Sequence, residues 1–179
     1  MSCALTQGHV LDCKSAIGGI KSIRLATLSD YEGLAATVSA GDITAFGSAS
    51  TVFYKYEQLK ESSSIVETIN SNVQNGSVYY TPEVTMVISK LATSMRNEVR
   101  LLAQNRLVAI VETNDEEANF FVAGVTTGLE VSAGTAASGT AYADLQGYTI
   151  TISGMEAAPM LKLTPSSGTT AAMLASITN

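Results

Sequence analysis

The chain is 179 residues long, 46% hydrophobic, and carries 16 acidic against 10 basic side chains for a net charge of −6. That length fits one domain with a real hydrophobic core, and the shortage of Lys and Arg removes the electrostatic footprint that tight DNA or RNA binding requires. The apolar residues fall in short runs broken by Gly, Ser and Thr, so no stretch reads as a membrane span and no membrane insertion is expected.

Residues 1–15, with Cys3, His9 and Cys13, hold no sustained period and read as an N-terminal arm. Met1 to Cys13 lacks the basic flank and apolar core of a secretory signal, which predicts a product that stays in the cytosol where it is made. Residues 16–160 read as a single β domain, and residues 161–179 as a flexible C-terminal tail. From Ile20 to about Leu28, alternation of Ser22 and Arg24 against Ile23 and Leu25 predicts a strand. A turn follows around Asp30 to Gly33. Strand is expected over Leu34 to Phe46, interrupted by Gly41, and over Val52 to Leu59, where two Tyr and a Phe supply β propensity.

Asn75-Gly76 marks a hairpin, because that dipeptide accepts the positive φ angles of a tight type I′ turn. On the incoming strand Ile65, Ile69 and Val73 share one face while Thr68, Asn70 and Asn72 share the other. On the outgoing strand Val78, Tyr80, Val84, Met86 and Ile88 lie together, opposite Tyr79, Thr81, Glu83 and Thr85. Pro82 predicts an edge position or a bulge. Between Lys90 and Asn105 the period becomes helical, with Leu91, Met95, Val99 and Leu102 as the stripe that packs on a sheet. Strands resume at Leu107 to Glu112, Phe120 to Val125 and Leu129 to Ser132, and the loop Asn114 to Asn119 joins the first two. Ser132 to Gly139 is a low-complexity stretch expected as a mobile surface loop or a segment ordered by a neighbour. Tyr148 to Ser153 closes the fold with Tyr148, Ile150 and Ile152 inward. About eight strands and one helix, at about residues 90–104, imply an antiparallel β-sandwich or barrel with that helix laid against it.

No catalytic device is legible, and the chain reads as a non-enzyme without a cofactor. The single histidine, His9, lies in the arm, and neither a Gly-x-Ser-x-Gly elbow nor a phosphate-cradling glycine loop ending in Gly-Lys occurs. Cys3, His9 and Cys13 supply three potential zinc ligands where a closed site needs four, so reduced thiols or a Cys3–Cys13 bond are the simpler expectation. Asp115, Glu116 and Glu117 read as solvated acids of a hairpin loop, with a cation site or paired hydrolytic carboxylates as the sharper alternative. Leu107 to Leu161 contains no Lys or Arg but seven acids. It is either a set of solvating loops or a surface that repels a polyanion.

An irregular start, MSCALTQGHVLDCKSAIGGIK, a β-rich body, one mid-chain helix and a closing GTAYADLQGYTITISGMEAAP together resemble the virion structural proteins of tailed phages infecting Bacteroidetes-type hosts, and among these the tail tube proteins. The resemblance covers most of the chain. It implies a sandwich or barrel with one flanking helix, stacked with copies of itself as hexameric rings around a channel for DNA delivery. Type VI secretion tubes share that architecture. The partners implied are copies of the chain, other tail proteins and DNA in transit without tight binding, in a virion tail assembled in the host cytoplasm. Thr68, Asn70, Asn72, Thr81, Glu83 and Thr85, on the polar face of the hairpin, become the candidate channel-facing residues. A capsid-decorating protein, a tail terminator or a connector is the alternative with the same composition.

Overall fold

Alternation in the first strand separates two cores. In the computed structural model, which describes residues 8–9, 17–48, 50–115 and 119–179, β1 (Ile20–Thr27) sends Ile23 and Leu25 to one side and Arg24 and Ala26 to the other, and all four are buried. The chain continues as α1 (Leu28–Gly33), β2 (Ala36–Ser39), β3 (Asp42–Phe46), β4 (Tyr54–Glu57), β5 (Ser64–Asn72), β6 (Ser77–Ser89) and α2 (Thr93–Gln104). Then come β7 (Leu107–Thr113), β8 (Phe120–Ala123), β9 (Glu130–Ala137), β10 (Gly147–Ser153), β11 (Leu161–Leu163) and α3 (Thr170–Ala175).

The strands form a seven-stranded sheet in the order β2-β3-β11-β8-β7-β1-β4 and a four-stranded sheet in the order β5-β6-β10-β9. The fold is the mainly β sandwich with a flanking helix that the patterning predicts. Between the sheets, Ile23, Leu25, Ala109 and Val111 meet Val84, Met86, Ile88, Ile150 and Ile152, and Leu102 of α2 closes the side. The far face of the larger sheet carries a second core, in which Ala26, Val108, Ile110 and Val122 are covered by Tyr31, Phe53, Leu174 and Ile177. With both its faces packed, β7 reads as the continuous apolar run Leu107 to Val111 rather than as an alternation.

The residues expected as a flexible tail, 161–179, supply much of that second cover. Lys162 and Leu163 pair in parallel with Asp42 and Ile43. Thr169 caps α3 by accepting a hydrogen bond from the Ala172 N–H at 3.2 Å, which satisfies an otherwise orphaned donor. The Ile177 carbonyl then accepts from the N–H groups of Val52 and Phe53, each at 2.9 Å. Leu174 and Ile177 are buried, each side chain stabilising the fold by roughly 1.5–3 kcal/mol on transfer grounds.

Three further expectations differ from the structure. The β5–β6 connection is not a two-residue type I′ turn: Val73 to Gly76 form a four-residue loop in which Gly76 alone of the Asn-Gly pair has a positive φ, 62°. The Asn72 carboxamide oxygen accepts from the N–H groups of Gln74 and Asn75 at 3.0 and 3.2 Å, so a side chain does the work of the turn. Pro82 is not on an edge strand, since β6 lies between β5 and β10. Its missing donor falls where β10 has just ended, and its carbonyl still accepts from Gly154 N–H at 3.2 Å. Ser132 to Gly139 is not a loop for most of its length, because Glu130–Ala137 is a strand paired with β10. Ser132 is the extra residue of a bulge in that pairing.

Candidate functional site

The β5–β6 hairpin carries the six residues singled out from the sequence. Thr68 stands opposite Thr81, Asn70 opposite Tyr79, Val66 opposite Glu83 and Ser64 opposite Thr85. Facing residues of an antiparallel pair project to the same side. Thr68, Asn70, Asn72, Thr81, Glu83 and Thr85 therefore share one face of the four-stranded sheet, and it is the face turned away from the sandwich core. Asn70 Nδ2 donates to Thr81 Oγ1 at 3.0 Å, and the hydroxyls of Thr85 and Thr151 lie 3.4 Å apart.

Register extends this wall across the sheet. Thr149, Thr151 and Ser153 of β10 align with Val87, Thr85 and Glu83, and Thr135, Ala133 and Glu130 of β9 continue the same rows. The β10 hydroxyls were legible, since they alternate with Ile150 and Ile152. Those of β9 were not, because a Ser/Ala/Gly/Thr run carries no strand signal of its own. The strand positions of this face hold Glu83 and Glu130 but no Lys or Arg. Arg106 reaches Glu130 from outside the sheet at 3.4 Å, both side chains being exposed. Val87 stands on the same face and is buried, so the open wall runs from Thr85 toward the hairpin tip.

That tip overhangs the core. β6 is 13 residues long, whereas its pairing with β10 stops at Glu83. Beyond it, Ile69, Val73 and Val78 are 66%, 92% and 52% exposed, so these apolar residues, expected with the inward face, cover no core among the described residues. Among the described residues, both outer strands of the sheet, β5 and β9, have one unpaired edge. Such edges are templates for another strand.

Charge is handled differently on the larger sheet. Glu112 is buried and accepts from Ser22 Oγ at 2.6 Å, Lys21 Nζ at 2.8 Å and Arg24 Nη1 at 3.3 Å. Burial pushes its carboxyl upward, but the hydrogen bonds from Lys21 and Ser22 and the charges of Lys21 and Arg24 outweigh that and hold it below its ordinary value. Arg24 also lies 5.6 Å from the Phe120 ring centre, within cation–π range. Among the loop acids, Glu116 and Glu117 lie outside the described residues, as do Cys3 and Cys13. Asp115 accepts from Ile17 N–H at 3.0 Å, Thr113 Oγ1 at 3.1 Å and Asn119 Nδ2 at 3.3 Å. Those bonds, the Ile17 amide foremost, hold its carboxyl below the usual range. His9 is exposed.

On the helix, Met95, Val99 and Leu102 pack on the first core, while Leu91 precedes the helix and is exposed. α2 does not close fully on the sheet edge. A groove of about 510 Å³ remains between it and β4, lined by Leu25, Tyr54, Tyr56, Met95, Leu101 and Leu102. Burial, then the Glu98 carboxylate and Tyr54, push the Tyr56 hydroxyl above its ordinary pKa. No helix among the described residues is long and apolar enough to cross a membrane. Comparison with known proteins finds no matching family model, no matching curated protein and no matching solved structure.

Proposed function

We propose that this chain is the structural subunit of a bacteriophage tail tube, without catalytic activity or cofactor, which self-assembles into stacked hexameric rings around a channel for DNA delivery. The observation that carries this reading is the four-stranded sheet: a polar face whose strands hold no Lys or Arg on one side, a core on the other, and, among the described residues, an unpaired edge at each end. β5 of one copy against β9 of the next turns six such sheets into one closed wall and removes the exposed edges. A barrel of about 24 strands, spaced about 4.8 Å and tilted about 40°, has a backbone diameter of roughly 48 Å.

A wall of hydroxyls, carboxamides and two acids suits passage of a polyanion. DNA is held by cations that displace its counterions, and this face offers none from its strands. The overhanging Ile69, Val73 and Val78 suit burial against a neighbouring copy, because exposed clustered apolar residues mark interaction surfaces. Other tail proteins would cap the assembly, and the virion tail would be its location. Negative-stain microscopy of the purified protein tests the reading. Rings or hollow tubes are expected, and dispersed particles at every concentration would refute it.

A further inference from the structure

We propose that Glu67 and Glu156 together hold one structural calcium ion in a small cavity between β8 and the β5–β6 hairpin. The inference stands apart from the tube reading, and the ion has no catalytic part. The cavity measures about 10 Å³ and lies where β6 passes beyond the end of β10. Both acids line it, and no Lys, Arg or His does.

Alternation puts Glu67 between Ile65 and Ile69, on the face of β5 turned toward the other sheet. Its Oε1 accepts from the Met160 N–H at 2.7 Å. Glu156 is 6% exposed. Its Oε1 is turned to Thr126 and Thr127, whose N–H groups donate at 3.2 and 3.0 Å and neither of which lines the cavity. Oε2 is left to the cavity side, buried and without a hydrogen-bond partner among the described residues.

A buried carboxylate is sustained by a counter-charge or a metal. None of the ion pairs among the described residues includes Glu67 or Glu156. The walls are also short of donors. Pro82 stands opposite Glu67, and extending the β8–β11 pairing, in which Leu161 faces Val122, brings Pro159 to the buried Gly124. Both prolines line the cavity, and neither has an N–H to give. Two acids in a site poor in donors call for a cation.

The ligand chemistry selects which one. Oxygen donors favour a hard ion over zinc or copper. Magnesium keeps several of its waters, and a cavity of this size has room for about one. Calcium exchanges its waters for carboxylates and main-chain carbonyls. Among the described residues no group of three or more His, Cys, Asp or Glu is assembled for a metal, so the ligands beyond the two acids would be carbonyls of the lining segments. Held there, the ion ties β5 to the segment after β10 at the root of the overhanging hairpin.

Calorimetric titration and thermal melts of the full-length protein, stripped with EDTA and then given calcium chloride, test this. One ion per chain is expected to bind. The melting temperature should rise by roughly 5 °C or more at about 100 times the dissociation constant. Glu156→Gln keeps an oxygen for Thr126 and Thr127, and Glu67→Gln keeps one for Met160, so each removes a charge without removing an acceptor. Both variants are expected to lose most of the calcium affinity and the melting shift. Should Glu156→Gln fail to fold, Glu67→Gln, at a half-buried position, decides alone. Absence of binding heat and of a melting shift up to about 5 mM calcium, beyond the range of the weakest protein calcium sites, would overturn the proposal. So would variants that bind the ion as the parent does.

Discussion

Ser22 and Glu112, ninety positions apart in the chain, are joined by a 2.6 Å hydrogen bond beside the second core. The bond belongs to a buried carboxylate that also answers Lys21 and Arg24. Removing the acid leaves the Arg24 guanidinium buried without its counter-charge. Glu112→Ala should therefore destabilise the fold by about 3–5 kcal/mol, measured by urea denaturation at neutral pH.

The same carboxylate gives a pH dependence of definite sign. Its folded pKa lies below the ordinary 4.5, so its contribution is complete above that value and is lost as pH falls through the lower, folded one. Unfolding curves between pH 5 and 2.5 should show the parent losing stability more steeply than Glu112→Gln, which has no proton to gain at this position. Equal slopes would mean that the pairing is not maintained in solution.

Leu102 and Leu101 are neighbours on α2 with opposite surroundings. The first is packed on the core between the sheets, and the second is about half exposed on the groove. Leu102→Ala is expected to cost about 2–5 kcal/mol. Leu101→Ala should stay within about 0.5 kcal/mol, as surface changes do. Thermal melts of the two variants, read against the parent, check both.

Ile177→Ala is expected to cost about 2–5 kcal/mol because its side chain is fully buried against the second core. A variant that melts with the parent would return residues 161–179 to the status of a loose tail. What hid this segment in the sequence is its spacing. Leu163, Leu174 and Ile177 follow no single period, and the surfaces they cover, Ile43 and Phe53, lie more than a hundred positions earlier. Period-based reading sees partners only within one element. It succeeded where one element decides the matter: the β1 alternation, the helix expected at about residues 90–104 and found at Thr93–Gln104, and the alternation along β5 and β6. It placed a strand at Leu129 to Ser132 but stopped short of Ala137, because the later residues of β9 owe their strand character to the ladder with β10 rather than to their own side chains. It also misjudged the hairpin turn, where the Asn72 carboxamide replaced the backbone geometry that Asn-Gly suggests.

Glu83→Lys should permit assembly yet slow the passage of DNA, because an added cation on the polar wall can displace counterions from a phosphate backbone. The slowing should be largest at low salt and fade as ionic strength rises. Ejection rates from assembled particles, compared across salt, are the measurement. A parental rate at low salt would place Glu83 away from the channel.

Glu156 serves two elements at once. Its backbone N–H and carbonyl exchange hydrogen bonds of 2.8 Å with Tyr80, beyond Pro82 on the overhanging part of β6. Its carboxylate accepts from the N–H groups of Thr126 and Thr127 at 3.2 and 3.0 Å, in the segment that leads into β9. One buried residue therefore acts as a rivet between the hairpin at one margin of the four-stranded sheet and the root of the strand at its other margin. Shortening its side chain would therefore leave the Thr126 and Thr127 N–H groups without their acceptor while the backbone bridge to Tyr80 stayed in place, so the two attachments can be separated by a single substitution.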